Sequence, residues 1–120
     1  MDEHYGYYHA KAQNLARDLR EAYDDALDEV DLLALPTSPI TAYEVDESIR
    51  GPKELVERAQ TGVRTLHSSP FDVTGHPACS VPAGDVNGLP VGLMIVGRHL
   101  EDATVLRAGH AFETAIDWSP

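Results

Sequence analysis

The clearest structural signal in the chain is ACSVPAGDVNGLPVGLMIVG, at residues 78–97. Two apolar runs, at residues 78–81 and 91–97, flank a segment of turn-forming residues that ends in Asn87-Gly88. An Asn-Gly pair between apolar runs is a strong hairpin signal, because both residues tolerate positive φ angles. The sequence therefore predicts a β-hairpin over residues 78–97.

Upstream of the hairpin, the chain carries a helical and then an extended pattern. Apolar residues recur at steps of three and four over residues 5–28, and no Pro or Gly interrupts residues 7–35. This spacing places the apolar residues on one face of a helix. A short apolar run at residues 31–35 stops at Pro36 and predicts a strand that is buried on both faces.

The remaining segments complete the predicted order of elements. Gly51-Pro52 and the residues after it predict a helix over 52–66, since Pro is favoured in the first helical turn. Residues 67–77 have the composition of a loop, and a last helix is predicted over 103–116. The order predicts one α/β unit over residues 1–120, with a mixed sheet of about three strands flanked by helices.

The charge of the chain excludes several classes of partner. Twenty Asp and Glu residues against nine Lys and Arg give a formal net charge of −11 at pH 7. Nucleic-acid backbones and anionic membrane surfaces both require basic surface, so neither is an expected partner. Only two of the basic residues are lysines. We expect an adaptation to a high-salt cytoplasm, where ions screen self-repulsion, with an ordinary acidic protein as the alternative.

Targeting signals and disulfides also limit the location. No apolar run approaches the roughly 20 residues that span a bilayer, and the first residues lack the apolar region of a signal peptide. The lone cysteine, Cys79, forms no internal disulfide, and core packing is the role expected for it. These features predict a cytoplasmic protein.

The sequence contains no self-sufficient catalytic or ligand-binding motif. Phosphate-binding glycine motifs are absent, and the six histidines lack the spacing of common metal motifs, so neither a metal nor a cofactor is expected. Ser68-Ser69 precedes Pro70, and Ser80 lies in an apolar strand, so neither has a visible base or oxyanion donor. A small hydrolase using Ser80 or Ser68 with His76 is therefore disfavoured.

Three ordered motifs closely resemble the C-terminal region of the amidase signature family. They are PFDVTGHPACSVPAG at 70–84, GLPVGLMIVG at 88–97, and a helix ending in AFE at 111–113, and DLLALPT at 31–37 resembles an earlier strand exit of the family. The first motif and the Gly-Arg-His that follows the second are more similar to bacterial and archaeal amidases of small amides. They are less similar to the tRNA-dependent amidotransferase of the same family.

The resemblance implies a mixed sheet flanked by helices and hydrolysis of an amide to a carboxylate and ammonia. It also implies a Ser–cis-Ser–Lys catalytic set beside a glycine-rich loop. That loop is absent from these 120 residues, and neither Lys11 nor Lys53 matches the catalytic lysine. We therefore expect no catalytic residue here, no activity of the chain alone, and a partner segment that carries the catalytic set. The alternative is a noncatalytic partner-binding domain or a remnant derived from an amidase.

Three residues are candidates for the wall of a substrate pocket. Phe71, Thr74 and His76 lie before the hairpin, on loops that approach the substrate side in the family's architecture. The alternative is that they only fix a turn that leads into a buried strand.

Overall fold

The computed structural model describes residues 3–42 and 66–116. Six elements follow one another in the order α1 (Glu3–Glu29), β1 (Leu33–Pro36), α2 (Ser69–Thr74), β2 (Ala78–Val86), β3 (Leu89–Val96) and α3 (Asp102–Ile116). The helix predicted over 52–66 lies outside the described residues, apart from Leu66, which is in a turn. None of the described helices combines the length and apolar character needed to cross a bilayer.

The three strands form one sheet in the order β1-β3-β2. Both pairings are antiparallel, whereas the sequence predicted a mixed sheet. The α/β class and the three strands are confirmed, and the described part of the sheet contains no parallel pair. Asn87 and Gly88 join β2 to β3 with φ angles of 55° and 77°. Positive φ at both positions matches the twist of a two-residue hairpin turn.

The central strand β3 supplies apolar side chains to both faces of the sheet. On one face Met94 and Val96 pack with Phe71 of α2, and the cluster also includes Tyr23 of α1. On the opposite face Ile95 packs with Val81 of β2 and Val105 of α3. Alternate side chains of a strand point to opposite faces, so β3 contributes to both clusters.

The segment predicted as a loop over residues 67–77 contains the short helix α2. Pro70 sits in its first turn, where the missing N–H costs no helical hydrogen bond. Gly75 ends the helix at φ 76° and donates its N–H to the Phe71 carbonyl, at 2.8 Å. The local abundance of turn-forming residues concealed one helical turn, because Pro at the start and Gly at the end are also helix boundary signals.

Candidate functional site

A histidine-carboxylate cluster lies where three segments of the chain meet. Asp24 comes from α1, His76 from the segment between α2 and β2, and His99 from the loop that follows β3. His76 Nε2 lies 3.1 Å from Asp24 Oδ1, and His99 Nε2 lies 4.0 Å from the same oxygen. The two imidazole rings are 4.1 Å apart between centroids, with 37° between their planes.

The imidazole of His76 is held on both sides. Its side chain is fully buried, and its Nδ1 lies 2.8 Å from the hydroxyl oxygen of Thr74. Tyr23 contacts the ring edge-on, with centroids 5.8 Å apart. Because a hydroxyl both donates and accepts, Thr74 is compatible with either tautomer of the ring.

Arg20 connects the same region to the first helix. Its Nε and Nη2 donate hydrogen bonds of 2.9 and 2.7 Å to the Thr74 carbonyl oxygen. A Cβ on Gly75 would lie 3.3 Å from Arg20 Nη2 and 3.7 Å from His99 Cε1. The absence of a side chain at Gly75 thus gives the Arg20 guanidinium room at the end of α2, whereas the imidazole distance is an ordinary contact.

The electrostatic environment favours a neutral His99. Burial lowers the pKa of His99, and the neighbouring His76 and Arg20 lower it further, whereas Asp24 acts in the opposite direction. The Nε2 atom of His99 is buried and has no hydrogen-bond partner among the described residues. A neutral imidazole nitrogen in this state is available to accept a proton, a hydrogen bond or a metal ion.

A second feature, a pair of hydroxyl groups, lies beside Gly92 of β3. Ser80 pairs with Met94 across the β2–β3 ladder, so its side chain points to the same face of the sheet as Met94. The Ser80 and Thr37 hydroxyl oxygens are 2.5 Å apart. They meet over Gly92, where a Cβ would lie 2.7 Å from Ser80 Oγ and 2.8 Å from Thr37 Oγ1. The hydroxyl pair therefore depends on a glycine at this position.

This hydroxyl pair borders an open cleft. The cleft has a volume of about 320 Å³, and a more apolar cleft of about 450 Å³ shares part of its lining, including Ser38, Ile40 and Gly92. Pockets for small molecules begin at roughly 300 Å³ and combine an apolar lining with a few polar groups. The cleft by Ser80 and Thr37 fits a small ligand with a hydrogen-bonding end.

The three residues expected in a substrate pocket are all buried. Phe71 belongs to the apolar cluster with Met94 and Val96, and Thr74 and His76 are 1% and 4% exposed. Their role in substrate binding stays a prediction. The structure brings Thr74 and His76 into hydrogen-bond contact and leaves Phe71 in the packing beside them.

Two members of the histidine-carboxylate cluster, Asp24 and His99, are not predicted by any motif of the sequence. Asp24 is one of many carboxylates on a charged helix, and His99 has no spacing motif with the other histidines. The Gly-Arg-His sequence at residues 97–99 was the available signal, but by itself it indicates only a family likeness.

The serine and cysteine candidates have ordinary contacts. The Ser80 hydroxyl bonds to Thr37 rather than to a histidine. The Cys79 thiol lies 3.8 Å from the Val105 carbonyl oxygen and packs in the α3-side cluster. Burial raises the pKa of the Cys79 thiol, and the carboxylate of Glu113 raises it further. A thiol of raised pKa is a poor nucleophile near neutral pH.

The chain is similar to several known proteins. The sequence profile of the amidase family matches residues 1–106. The chain is 46% identical over 112 residues to an enantioselective amidase of Rhodococcus rhodochrous, covering 92% of this chain and 21% of that protein. It is 51% identical over 112 residues to an uncharacterised protein in the nthA 5′ region of Rhodococcus erythropolis, covering 90% of this chain and 53% of that protein.

A solved structure has the same fold. It is the crystal structure of a bacterial aryl acylamidase of the amidase signature family, which superposes with a TM-score of 0.68 at 30% identity. The match covers 88% of this chain and 22% of that chain. The chain thus spans about half the length of one relative and about a fifth of the other two proteins.

Proposed function

Because the chain belongs to the amidase family, as its motifs predicted, we propose that it forms the C-terminal part of an amidase. Such an enzyme hydrolyses an amide to a carboxylate and ammonia. The observation that carries the proposal is a family match over residues 1–106 by a chain that spans about a fifth of the Rhodococcus rhodochrous amidase. The complete enzyme would use a Ser–cis-Ser–Lys set that the 120 residues do not contain, so the chain is inactive alone.

The proposed contribution of the chain is to shape the substrate pocket. The cleft by Thr37 and Ser80 offers two hydroxyl groups beside an apolar lining, which suits the amide group and short apolar body of a small amide. Phe71, Thr74 and His76 do not line this cleft, and Phe71 packs against Met94 and Val96 of the strand that carries Gly92. The three residues fix the end of α2 and the entry to β2, rather than contacting water themselves.

The partner in this proposal is an N-terminal amidase segment that carries the catalytic serines and lysine. Within the described strands, β1 and β2 are the edges of the sheet, and an edge strand offers unpaired backbone groups to another chain. Helix α1 also exposes large apolar side chains, at Tyr7, Tyr8, Leu15 and Leu19. These surfaces support docking of further protein.

The experiment compares amide hydrolysis by the chain with and without such a segment. The chain is produced alone and together with the N-terminal part of the Rhodococcus rhodochrous amidase that the alignment leaves uncovered. Ammonia release is measured with propionamide and benzamide as probes. We expect no turnover by the chain alone and turnover by the pair.

Two controls identify the catalytic group. Replacing the partner's catalytic serine with alanine abolishes the turnover of the pair, whereas Ser80→Ala in this chain reduces it by less, because Ser80 only borders the pocket. Turnover by the isolated chain that Ser80→Ala abolishes would contradict the proposal and support a self-contained hydrolase.

A noncatalytic partner-binding domain is the second candidate. Helices of this chain pack on both faces of the sheet through the two apolar clusters. This packing favours a domain that folds by itself. This function requires that the isolated chain be folded and monodisperse, and that the pair with the N-terminal segment show no turnover.

We also infer a cytoplasmic location with a high salt concentration. The net charge of −11, the two lysines and the single cysteine support this inference.

A further inference from the structure

We propose that Asp24, His76 and His99 form a binding site for a divalent transition-metal ion that fastens α1 to the sheet. The three side chains each offer one ligand atom, and these atoms all lie within 4.8 Å of one another. The site is distinct from the cleft by Ser80 and requires no amidase activity. The proposal therefore stands or fails independently of the proposed function.

The ligand atoms are close enough together to share one metal ion, which would replace the 3.1 Å hydrogen bond between His76 and Asp24. Ligands about 2.0–2.1 Å from a tetrahedral ion are roughly 3.3 Å from one another. The distances from Asp24 Oδ1 to His76 Nε2 and to His99 Nε2, 3.1 and 4.0 Å, bracket this value. The longer one exceeds hydrogen-bond range, so His99 Nε2 has no partner within the described part of the chain. A metal ion between the three groups would satisfy that nitrogen.

The hydrogen bond on the far side of His76 is the kind that orients a metal ligand. A ligating histidine commonly donates its second ring N–H to a protein oxygen, which fixes the tautomer and the direction of the ring. The Thr74 hydroxyl oxygen lies 2.8 Å from His76 Nδ1 and can accept that proton. In that tautomer Nε2 offers its lone pair to an ion, whereas in the other tautomer Nε2 donates the 3.1 Å hydrogen bond to Asp24 Oδ1 that the ion would replace.

The charges around the cluster permit a cation. Asp24 supplies one negative charge, and Arg20 is a positive group close to His99. The guanidinium of Arg20 is directed to the Thr74 carbonyl oxygen through two hydrogen bonds, so its charge faces a backbone acceptor. The Asp24 side chain is 47% exposed, which leaves a path for ion entry and room for water as a further ligand.

The donor set indicates the class of ion and its role. Two imidazoles and one carboxylate suit Fe²⁺, Co²⁺, Ni²⁺ and Zn²⁺ rather than Mg²⁺ or Ca²⁺, which prefer oxygen ligands. The ligands come from α1, the entry to β2 and the loop after β3, so one ion would join three segments that are distant in sequence. Its role is structural, because it would join α1 to two neighbouring segments that the β2–β3 ladder already holds together.

The test is metal binding by the full chain. Zn²⁺ affinity is measured by competition with a chromophoric chelator, and Co²⁺ is added as a spectroscopic probe whose visible absorption reports its ligand geometry. We expect one ion per chain and a Tm that rises with Zn²⁺ concentration. His99→Gln and Asp24→Asn should each weaken binding by about tenfold or more, since removing even a group that orients a ligand has effects of that size.

Matched controls separate the site from the acidic surface. His110 is an exposed histidine of α3, and His110→Gln should leave affinity and stoichiometry unchanged. His99 and Asp24 are partly exposed, and circular dichroism establishes that their variants keep the helical content of the parent chain. The titration is repeated in denaturing urea to measure binding by unfolded histidines. Equal affinity of the parent and His99→Gln chains, or no saturable binding at submillimolar Zn²⁺ by the folded chain, would overturn the proposal.

Discussion

Arg20 on α1 donates two hydrogen bonds to the carbonyl oxygen of Thr74, across 54 positions of the chain. Thr74 is the last residue of α2, and the last carbonyls of a helix have no partner within it. The guanidinium therefore completes α2 from another element. A planar group with several donors can make both bonds to one oxygen, which a lysine cannot reproduce in the same geometry.

Replacing Arg20 tests this link. Arg20→Gln should lower the free energy of unfolding by about 1–2 kcal/mol, because a charged donor is lost from a partly buried carbonyl. Urea unfolding followed by circular dichroism measures the change. Arg17→Gln removes an exposed arginine from the same helix and should change stability by less than about 0.5 kcal/mol. Equal effects of the two substitutions would show that net charge, and not the Thr74 contact, is responsible.

The close approach at Gly92 leads to a second prediction. Gly92→Ala should lower the free energy of unfolding by about 1–3 kcal/mol, because its Cβ would overlap the Ser80 and Thr37 hydroxyls. Adding Ser80→Ala removes one of the two clashing atoms and should recover part of the loss. Gly6→Ala is the control, since no atom lies within 4 Å of its Cβ position, and better helix propensity makes it neutral or stabilising.

Substituting Phe71 distinguishes a role in packing from a role in the substrate pocket. Phe71→Ala should lower the free energy of unfolding by about 3–5 kcal/mol, because the ring is 5% exposed and contacts the tilted ring of Tyr23 at 4.9 Å between centroids. Val73→Ala, on the exposed side of α2, should change it by a few tenths. A stable Phe71→Ala chain would contradict the packing role and favour direct contact with a ligand.

The stability of the folded chain and the reactivity of the Cys79 thiol should both depend on pH. Burial and the Glu113 carboxylate raise the pKa of this thiol, and the protonated form donates to the Val105 carbonyl oxygen. A raised folded-state pKa contributes stability that is fully present below the ordinary thiol pKa and is lost as pH rises through the folded-state pKa. A thiol of raised pKa is also less ionised at pH 8, and the thiolate is the form that reacts. Alkylation by iodoacetamide at pH 8 should therefore be slower in the folded chain than in urea.

The Glu113→Gln variant is the control for this cause. Without the carboxylate, the pKa of Cys79 should fall toward its ordinary value, and alkylation of the folded chain should become faster. An unchanged rate profile with pH would leave burial as the sole cause. Equal alkylation of the folded and unfolded chains would contradict the raised pKa.

The net charge predicts a strong salt dependence. With −11 formal charges on 120 residues, the folded chain should gain stability as KCl increases from tens of millimolar to molar concentration, because the screening length shrinks to about 3 Å at 1 M. Urea unfolding midpoints at several KCl concentrations measure the gain. A midpoint that is independent of KCl would contradict the high-salt adaptation.

Local signals account for the parts of the fold that the sequence could predict. Asn87-Gly88 indicates the hairpin because its conformational requirement lies within two residues, and the apolar spacing of α1 lies within one helix. Helix α2 was missed because six residues are too few for a periodic pattern. The family could be recognised from three motifs in the expected order, and the profile match confirms it.

The histidine-carboxylate cluster was not predictable by the same means. Asp24 and His76 meet only after α1 packs beside α2, and His99 joins them through the loop that leaves β3. No spacing rule relates residues on three elements, because their distances depend on tertiary packing. Their chemistry was visible in the sequence, but their proximity was not.

The strand order also sets the order of folding events. β2 and β3 are joined by two residues and can pair as soon as both exist, whereas Leu33 of β1 must find Val96 across more than half of the chain. Closing such a long loop is entropically costly and slows folding. We therefore expect the hairpin to nucleate the domain and β1, with the helix attached to it, to dock last. Until then β3 presents an open edge, which makes this interval the one in which a newly made chain is most exposed to aggregation.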